Sequence, residues 1–249
     1  MFQIQEIETE YGTINISKNP STGTLIYKVG DRQQGAIDSS GISLAYYIHA
    51  IFDLLTQANA RNILMIGGAG CTLGTLLARA QCKVTIVDIN QACFVVARQH
   101  FGLPDCVICH AAEGEVYLRG ETSSYDAIVL DAFHGDDIPP HLQSPRFFDL
   151  VRERLTPGGA IFANILVKND FDDCADRIAK SMKSVWADVR VLDAVGIRDR
   201  NAIVMAGRVS RLREPSLLVR PATNPHVISK ELRRLQFRAG RVSRREFYG

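Results

Sequence analysis

Apolar and polar positions alternate with period two through the first forty residues and break at Gly12, Asn19-Pro20 and Gly30, so this stretch reads as short strands joined by turns. Strands are predicted at 4–8, 13–17, 25–29 and 36–37, making a small antiparallel sheet. Residues 44–55 then carry apolar side chains at helical spacing, with Ser43 as a candidate N-cap. From residue 61 the pattern changes to a buried strand followed by an amphipathic helix, repeated several times. Strands are predicted at 62–66, 83–87, 106–109, 127–130 and 160–164, and helices at 73–80, 91–100, 113–118, 147–155 and 172–184. A tight glycine turn is expected at 67–70 and another turn at 156–159. This alternation builds a mostly parallel twisted sheet covered on both faces. The runs 190–194 and 202–207 flank a turn at 197–201 and read as a late antiparallel hairpin.

Composition leaves this picture intact. With 46% apolar and 22% charged residues in 249, the chain has ample material for a core, and general disorder is excluded. Three units are expected: 1–40, the small N-terminal β-sheet; 41–207, an α/β nucleoside-binding domain; and 208–249, a basic C-terminal tail. Charge separates the last from the rest. The tail holds eleven Lys/Arg against three Asp/Glu, a local +8, whereas residues 1–207 hold 18 against 24, a net −6. No aromatic platform is interleaved with the tail's cations, so it reads as a solvated arm or helix face, with packing on another subunit open to it, rather than as a contact for nucleic acid or an acidic partner. The longest apolar candidate, 42–55, is too short for a membrane span and contains His49 and Asp53. The N-terminus MFQIQEIETE is acidic and alternating, unlike a signal peptide, and the expected location is the cytoplasm.

Six cysteines stand at 71, 82, 93, 106, 109 and 174. Cys106-Val-Ile-Cys109-His110 matches the pattern of covalent haem attachment, but it falls where the third parallel strand is expected. No second pair stands at zinc spacing. Buried reduced thiols are the better account, and neither metal nor haem is expected.

The sharpest chemical signal is Ile63-Leu-Met-Ile66-Gly67-Gly68-Ala69-Gly70, followed twenty-one residues after Gly67 by Asp88. Glycine at a strand-to-helix turn lets a nucleoside approach the backbone, and an acid ending the next strand accepts hydrogen bonds from two ribose hydroxyls. The dinucleotide pattern G-x-G-x-x-G is not met, because its final position is Leu73. Glu113-Gly114, after the third strand, offers a carboxylate for an adenine amino group, or else a helix N-terminal acid favoured by the dipole. The apolar run 127–130 delivers Asp131 to the carboxyl edge of the sheet, where acceptor substrates lie.

The segments IGGAG, VTIVDIN, ARQHFGLPD, AAEGEVYL, YDAIVLDAFHGDDIPPHL, SPRFFDLVRERLTPGGAIFANI and RNAIVMAG follow one another across about residues 30–207. In that order they resemble the spermidine synthase-like (polyamine aminopropyltransferase) family of the class I S-adenosylmethionine-dependent methyltransferase-like superfamily. The resemblance implies a Rossmann-like class I methyltransferase fold and transfer of an aminopropyl group from decarboxylated S-adenosylmethionine to an amine acceptor such as putrescine, releasing methylthioadenosine. It casts Asp131 as the carboxylate that takes the proton from the attacking amine, and Gly67, Gly68, Gly70, Asp88, Glu113 and Gly114 as the nucleoside site. Gln34 and Tyr47 resemble residues lining the family's substrate channel, and Asp136, in the segment 132–145 that shapes the acceptor crevice, is assigned to the substrate with them.

Two departures stand out. Aminopropyltransferases carry an acid within the glycine turn, where this chain has Gly70, and a second Asp three residues after the first, where it has His134. His134 becomes an alternative base, oriented by Asp136 or Asp137. Two other readings stay open: a methyltransferase using ordinary S-adenosylmethionine, against which Met65 stands where methyltransferases place an acid, and a non-catalytic nucleoside-binding homologue. A homodimer is the expected assembly.

Overall fold

The computed structural model describes residues 1–135 and 137–238. Its first four strands, β1 (Phe2–Ile7), β2 (Ile14–Lys18), β3 (Leu25–Val29) and β4 (Arg32–Ile37), form an antiparallel sheet in sequence order. One face is apolar: Ile14, Ile16 and Tyr27 are buried. β4 begins four residues earlier than its apolar pattern indicates. Val29 pairs with Arg32 around Gly30, which sits at φ +56°, so backbone pairing carries the polar Arg32 and Gln33 into the ladder, and Gln34 falls at a bulge before Gly35.

Helix α1 (Tyr46–Gln57) starts at Ala45 without a side-chain cap. Ser43 instead anchors the approach to the helix: its carbonyl accepts from His49 Nε2 at 2.7 Å, and its Oγ accepts from the Ala45 N–H. Then come β5 (Asn62–Ile66), α2 (Thr72–Arg79), β6 (Lys83–Asp88), α3 (Gln91–His100), β7 (Ile108–Ala111), α4 (Gly114–Gly120), β8 (Tyr125–Leu130), α5 (Pro145–Glu153), β9 (Leu155–Val167), α6 (Cys174–Lys183), β10 (Val189–Asp193) and β11 (Arg200–Gly207). β7 is displaced two residues beyond its expected place, leaving Cys106 exposed outside the strand. The turn expected at 156–159 lies inside the long β9.

The second sheet has the order β12-β10-β11-β9-β8-β5-β6-β7. β7, β6, β5, β8 and β9 are parallel, and β11, β10 and β12 (Gln236–Arg238) are added antiparallel. The sheet is therefore the Rossmann-like, mostly parallel one with late antiparallel strands that the sequence pattern indicates. Its chain order reverses between β5 and β8, and a crevice opens at the carboxyl ends of strands at such a switch point. Helices cover both faces. Leu54, Leu76, Phe94 and Phe101 pack on one side, and Leu118, Phe147, Phe148 and Ile178 on the other. Each fully buried side chain of this kind contributes roughly 1.5–3 kcal/mol of transfer free energy. The small sheet meets the end of α3 where Tyr27 packs edge-on to Phe101, with ring centroids 5.9 Å apart.

Residues 208–238 depart most from expectation, since they are not a solvated arm. Val209, Leu212, Ile228, Leu232 and Leu235 are buried in the main core. α7 (Pro225–Leu232) packs against α1, and β12 extends the large sheet. Charge helps to hold the segment. The buried Asp193 carboxylate takes Arg200 at 2.6 Å and Arg238 at 2.8 Å, and Arg238 also reaches Asp176 at 2.8 Å. A count of basic residues in sequence does not show that these arginines have acidic partners on β10 and α6. Residues 239–249, the remainder of the expected tail, lie outside the described residues.

Candidate functional site

The crevice at the switch point is a cavity of about 880 Å³, walled by the carboxyl ends of β5, β6 and β8 and roofed by the small sheet and α1. Its floor is built from apolar strands that end abruptly on polar residues. At the end of β5, Gly67 takes φ +95°, and a Cβ there would stand 2.2 Å from the Asp131 carbonyl oxygen. Only glycine allows that approach. The Gly67 N–H donates to Val87 O and the Asp131 N–H to Ile66 O, each at 2.8 Å, so three strand ends are tied together.

Asp88 ends β6 and holds the turn. Its Oδ2 accepts from the Gly68 N–H at 2.7 Å and its Oδ1 from the Asn90 N–H at 2.8 Å. Burial pushes its carboxyl above the ordinary range, against the pull of these backbone donors. Asn90 caps α3 by accepting from the Ala92 N–H, and its amide donates to Thr9 Oγ1 at 3.1 Å. The β1–β2 turn is thereby clasped to the cavity rim, where Glu10 and Tyr11 join the lining.

Glu113 stands at the start of α4. It is the N-cap of α4, Oε2 accepting from the Val116 N–H at 2.8 Å, and it lines the cavity, with Oε1 2.9 Å from His141 Nε2. Burial opposes its charge, but the backbone donors and His141 outweigh burial and hold its carboxyl below the usual range. At Gly114 a Cβ would meet Ile66 Cγ2 at 2.4 Å, so glycine lets α4 begin against β5.

Asp131 sits at the tip of β8. Its Oδ1 accepts from Asn164 Nδ2 at 2.8 Å, and Asn164 Oδ1 in turn accepts from Asn201 Nδ2 at 3.0 Å. Tyr46 closes the row: its hydroxyl accepts from the Asn201 N–H at 2.6 Å and donates to the Asn201 carbonyl at 3.2 Å. Burial raises the Asp131 carboxyl to about 7; the Asn164 donor works against this rise and the charge of Asp88 adds to it. Tyr47 faces the same carboxylate, and burial, with Asp131 adding, pushes its phenol well above the ordinary value.

Gln34, Tyr47, Gly67, Gly68, Asp88, Glu113, Gly114, Asp131 and His134 thus converge on one cavity. Gly70 does not. It is buried beneath the turn, where a Cβ would press on the Phe101 ring at 3.3 Å. His134 is exposed at the mouth and pairs with Asp137 through backbone bonds in both directions. Asp136 lies outside the described residues. Sequence reasoning passed over Tyr46, Asn164, Asn201, Glu10 and His141. Of these, Asn164 carried a signal: it is the one polar side chain in the otherwise apolar run 160–167. Among the described residues no group of His, Cys, Asp or Glu is arranged to hold a metal, and no helix is long and apolar enough to cross a membrane.

Comparison with known proteins places this cavity in context. No protein-family model matches the chain. A probable polyamine aminopropyl transferase of Bifidobacterium longum is 26% identical over 165 residues, covering 65% of this chain and 37% of that protein. Polyamine aminopropyltransferase 2 of Pseudomonas aeruginosa is 28% identical over 170 residues, 62% of this chain and 48% of that one. The chain's curated relatives are aminopropyltransferases. Among solved structures, a probable spermidine synthase from Corynebacterium glutamicum superposes with a TM-score of 0.78 at 20% identity, covering 98% of this chain and 94% of its own. The fold of that solved structure is therefore shared over nearly the whole chain. The sequence matches span less than half the length of those two curated relatives.

Proposed function

We propose that this chain is a spermidine synthase-like transferase that moves an aminopropyl group from decarboxylated S-adenosylmethionine to a putrescine-like amine, releasing methylthioadenosine. The observation that carries the reading is Asp131: a carboxylate with its carboxyl at about 7, at the carboxyl edge of the sheet, in the same cavity as Asp88 and Glu113.

An alkylammonium must lose a proton before its nitrogen can attack, and a base whose pKa lies near neutrality accepts that proton most effectively there. The amine proton passes to Asp131, the nitrogen lone pair forms the new N–C bond, and the C–S bond breaks with its electron pair moving to sulfur. The sulfonium becomes a neutral thioether. Asp88 is assigned to the ribose hydroxyls, Gly67 and Gly68 to close backbone approach, Glu113 and Gly114 to the adenine side, and Gln34, Tyr47 and Asp136 to the acceptor. Among the described residues, the cavity carboxylates Glu10, Asp88, Glu113 and Asp131 suit a cationic acceptor. His134, exposed at the rim, is the alternative base. The reading carries with it a cytoplasmic homodimer.

Calorimetry with methylthioadenosine, S-adenosylmethionine and decarboxylated S-adenosylmethionine tests it. Tightest binding of the decarboxylated form, with methylthioadenosine released on adding putrescine, is the expected result. Preference for ordinary S-adenosylmethionine redirects the reading to methyl transfer. No binding of any of the three leaves no enzyme of either kind.

A further inference from the structure

The row Asp131–Asn164–Asn201–Tyr46 has a direction. Asn201 Nδ2 donates to Asn164 Oδ1, which commits the Asn164 Nδ2 to face Asp131 Oδ1. Asn201 is itself fixed, because its N–H and carbonyl are both occupied by the Tyr46 hydroxyl. Asp131 Oδ2 accepts no hydrogen bond from the described residues. Asn164 is 1% exposed, inside a strand whose neighbours Phe162, Ala163 and Ile165 are buried hydrophobics. An amide held there at the cost of burial needs a partner on each side, and it has one.

We infer that Asn164, set by Asn201, is a positioning residue: it pins Oδ1 of Asp131 and leaves Oδ2 to receive the proton of the acceptor amine. This rests on the aminopropyl-transfer reading for its chemistry, although the orientation of the carboxylate stands on the contacts alone. The physical effect has two parts. Donation to Oδ1 stabilises the charged form and tempers the effect of burial. It also removes the rotation that would otherwise spread the base over two oxygens, so the competent geometry is populated before substrate arrives. Other groups share the cavity with Asp131: Asp88 from β6, Tyr47 from α1, Glu113 at the start of α4, His134 and His141 from the β8–α5 connection, and Glu10 and Arg32 from the small sheet. The variants below leave all of these in place, so a shift in the titration of Asp131 reports the amide row.

The test is a titration of the full chain labelled at the aspartate carboxyl carbons, with the Asp131 resonance assigned by its loss in Asp131→Asn. Asn164→Leu, close in size and without polar atoms, is expected to raise the Asp131 midpoint by about one pH unit or more. Asn201→Leu, which removes the side-chain hydrogen bond to Asn164 and leaves the Asn164–Asp131 bond in place, is expected to raise it by less. An unchanged midpoint in a folded Asn164→Leu protein overturns the inference. If circular dichroism shows that this variant does not fold, an unchanged midpoint in Asn201→Leu does the same. In the kinetic arm, with decarboxylated S-adenosylmethionine and putrescine, the acidic limb of kcat should move upward in both variants while the KM for the nucleoside stays constant. A native chain that titrates as expected but never turns over refutes the aminopropyl-transfer reading and leaves the positioning of Asp131 standing.

Discussion

Gly67 and Asp131 stand so close at the carboxyl edge of the large sheet that a methyl group on the first would lie 2.2 Å from the carbonyl oxygen of the second. The nucleoside turn and the proposed base are therefore one rigid corner, tied by the bonds from Gly67 to Val87 and from Asp131 to Ile66.

Gly67→Ala should break that corner. It combines a backbone clash with a side chain at φ +95°, and a loss of at least about 2 kcal/mol in urea unfolding is expected. Gly68→Ala meets the Cys71 sulfur and Ile86 at 3.3 Å, contacts that relax more easily, and should lose less. Equal losses in the two variants would contradict the backbone account.

Asp131→Asn should lower turnover by roughly 10²–10⁴-fold, with nucleoside affinity by calorimetry largely retained. The same variant should be more stable than the native chain at pH 8. The sign follows from the raised carboxyl: the folded state holds its proton up to about 7 while the unfolded chain releases it near the ordinary carboxylate value, so the native protein loses stability as pH rises through that window. Below pH 4 both forms are neutral at this position, and the two proteins should melt together. Equal melting temperatures at pH 8 as well would refute the raised pKa.

Asp88→Ala removes the acceptor of the Gly68 and Asn90 N–H groups together with the proposed ribose contact. Hydrogen bonds to a charged group contribute about 1.5–3 kcal/mol each, so a loss of tenfold or more in methylthioadenosine affinity is expected. Unaltered affinity would remove Asp88 from the site.

Arg238→Met removes one guanidinium from Asp193, which keeps Arg200, and takes the Arg238 contact away from Asp176. Breaking a buried pair from one side costs about 3–5 kcal/mol, and thermal melting should show it. Burial opposes the Asp193 charge, yet Arg200 and Arg238 outweigh burial and hold its carboxyl below the ordinary value. That stabilisation is present above the unfolded carboxylate pKa and is lost as pH falls through the lowered folded one. The deficit of the variant should therefore shrink in strong acid.

Much of this was legible in the sequence because it is written in local patterns. Period-two alternation marked the small sheet, repeated strand and helix marked the parallel one, and glycine and acid at strand ends marked Gly67, Asp88, Glu113 and Asp131. What escaped depends on contacts between distant segments. Arg200 and Arg238 look like surface cations until Asp193 and Asp176 are placed beside them. Gly70 shares the motif of Gly67 and Gly68, but the chain has already turned inward toward Phe101. Tyr46 and Tyr47 are adjacent, and nothing local reveals that one locks Asn201 while the other faces Asp131.

Asp38, ahead of α1, and Asp53, within it, anchor the helix that brings both tyrosines to the cavity. Asp38 accepts from the N–H of Ala222, 184 residues onward, and Asp53 from Ser216, 163 residues onward. On a ribosome, then, the wall opposite Asp131 is made early and secured late. A nascent chain that has already closed its nucleoside turn still lacks the clamps on its acceptor side, so the two halves of the site mature at different times.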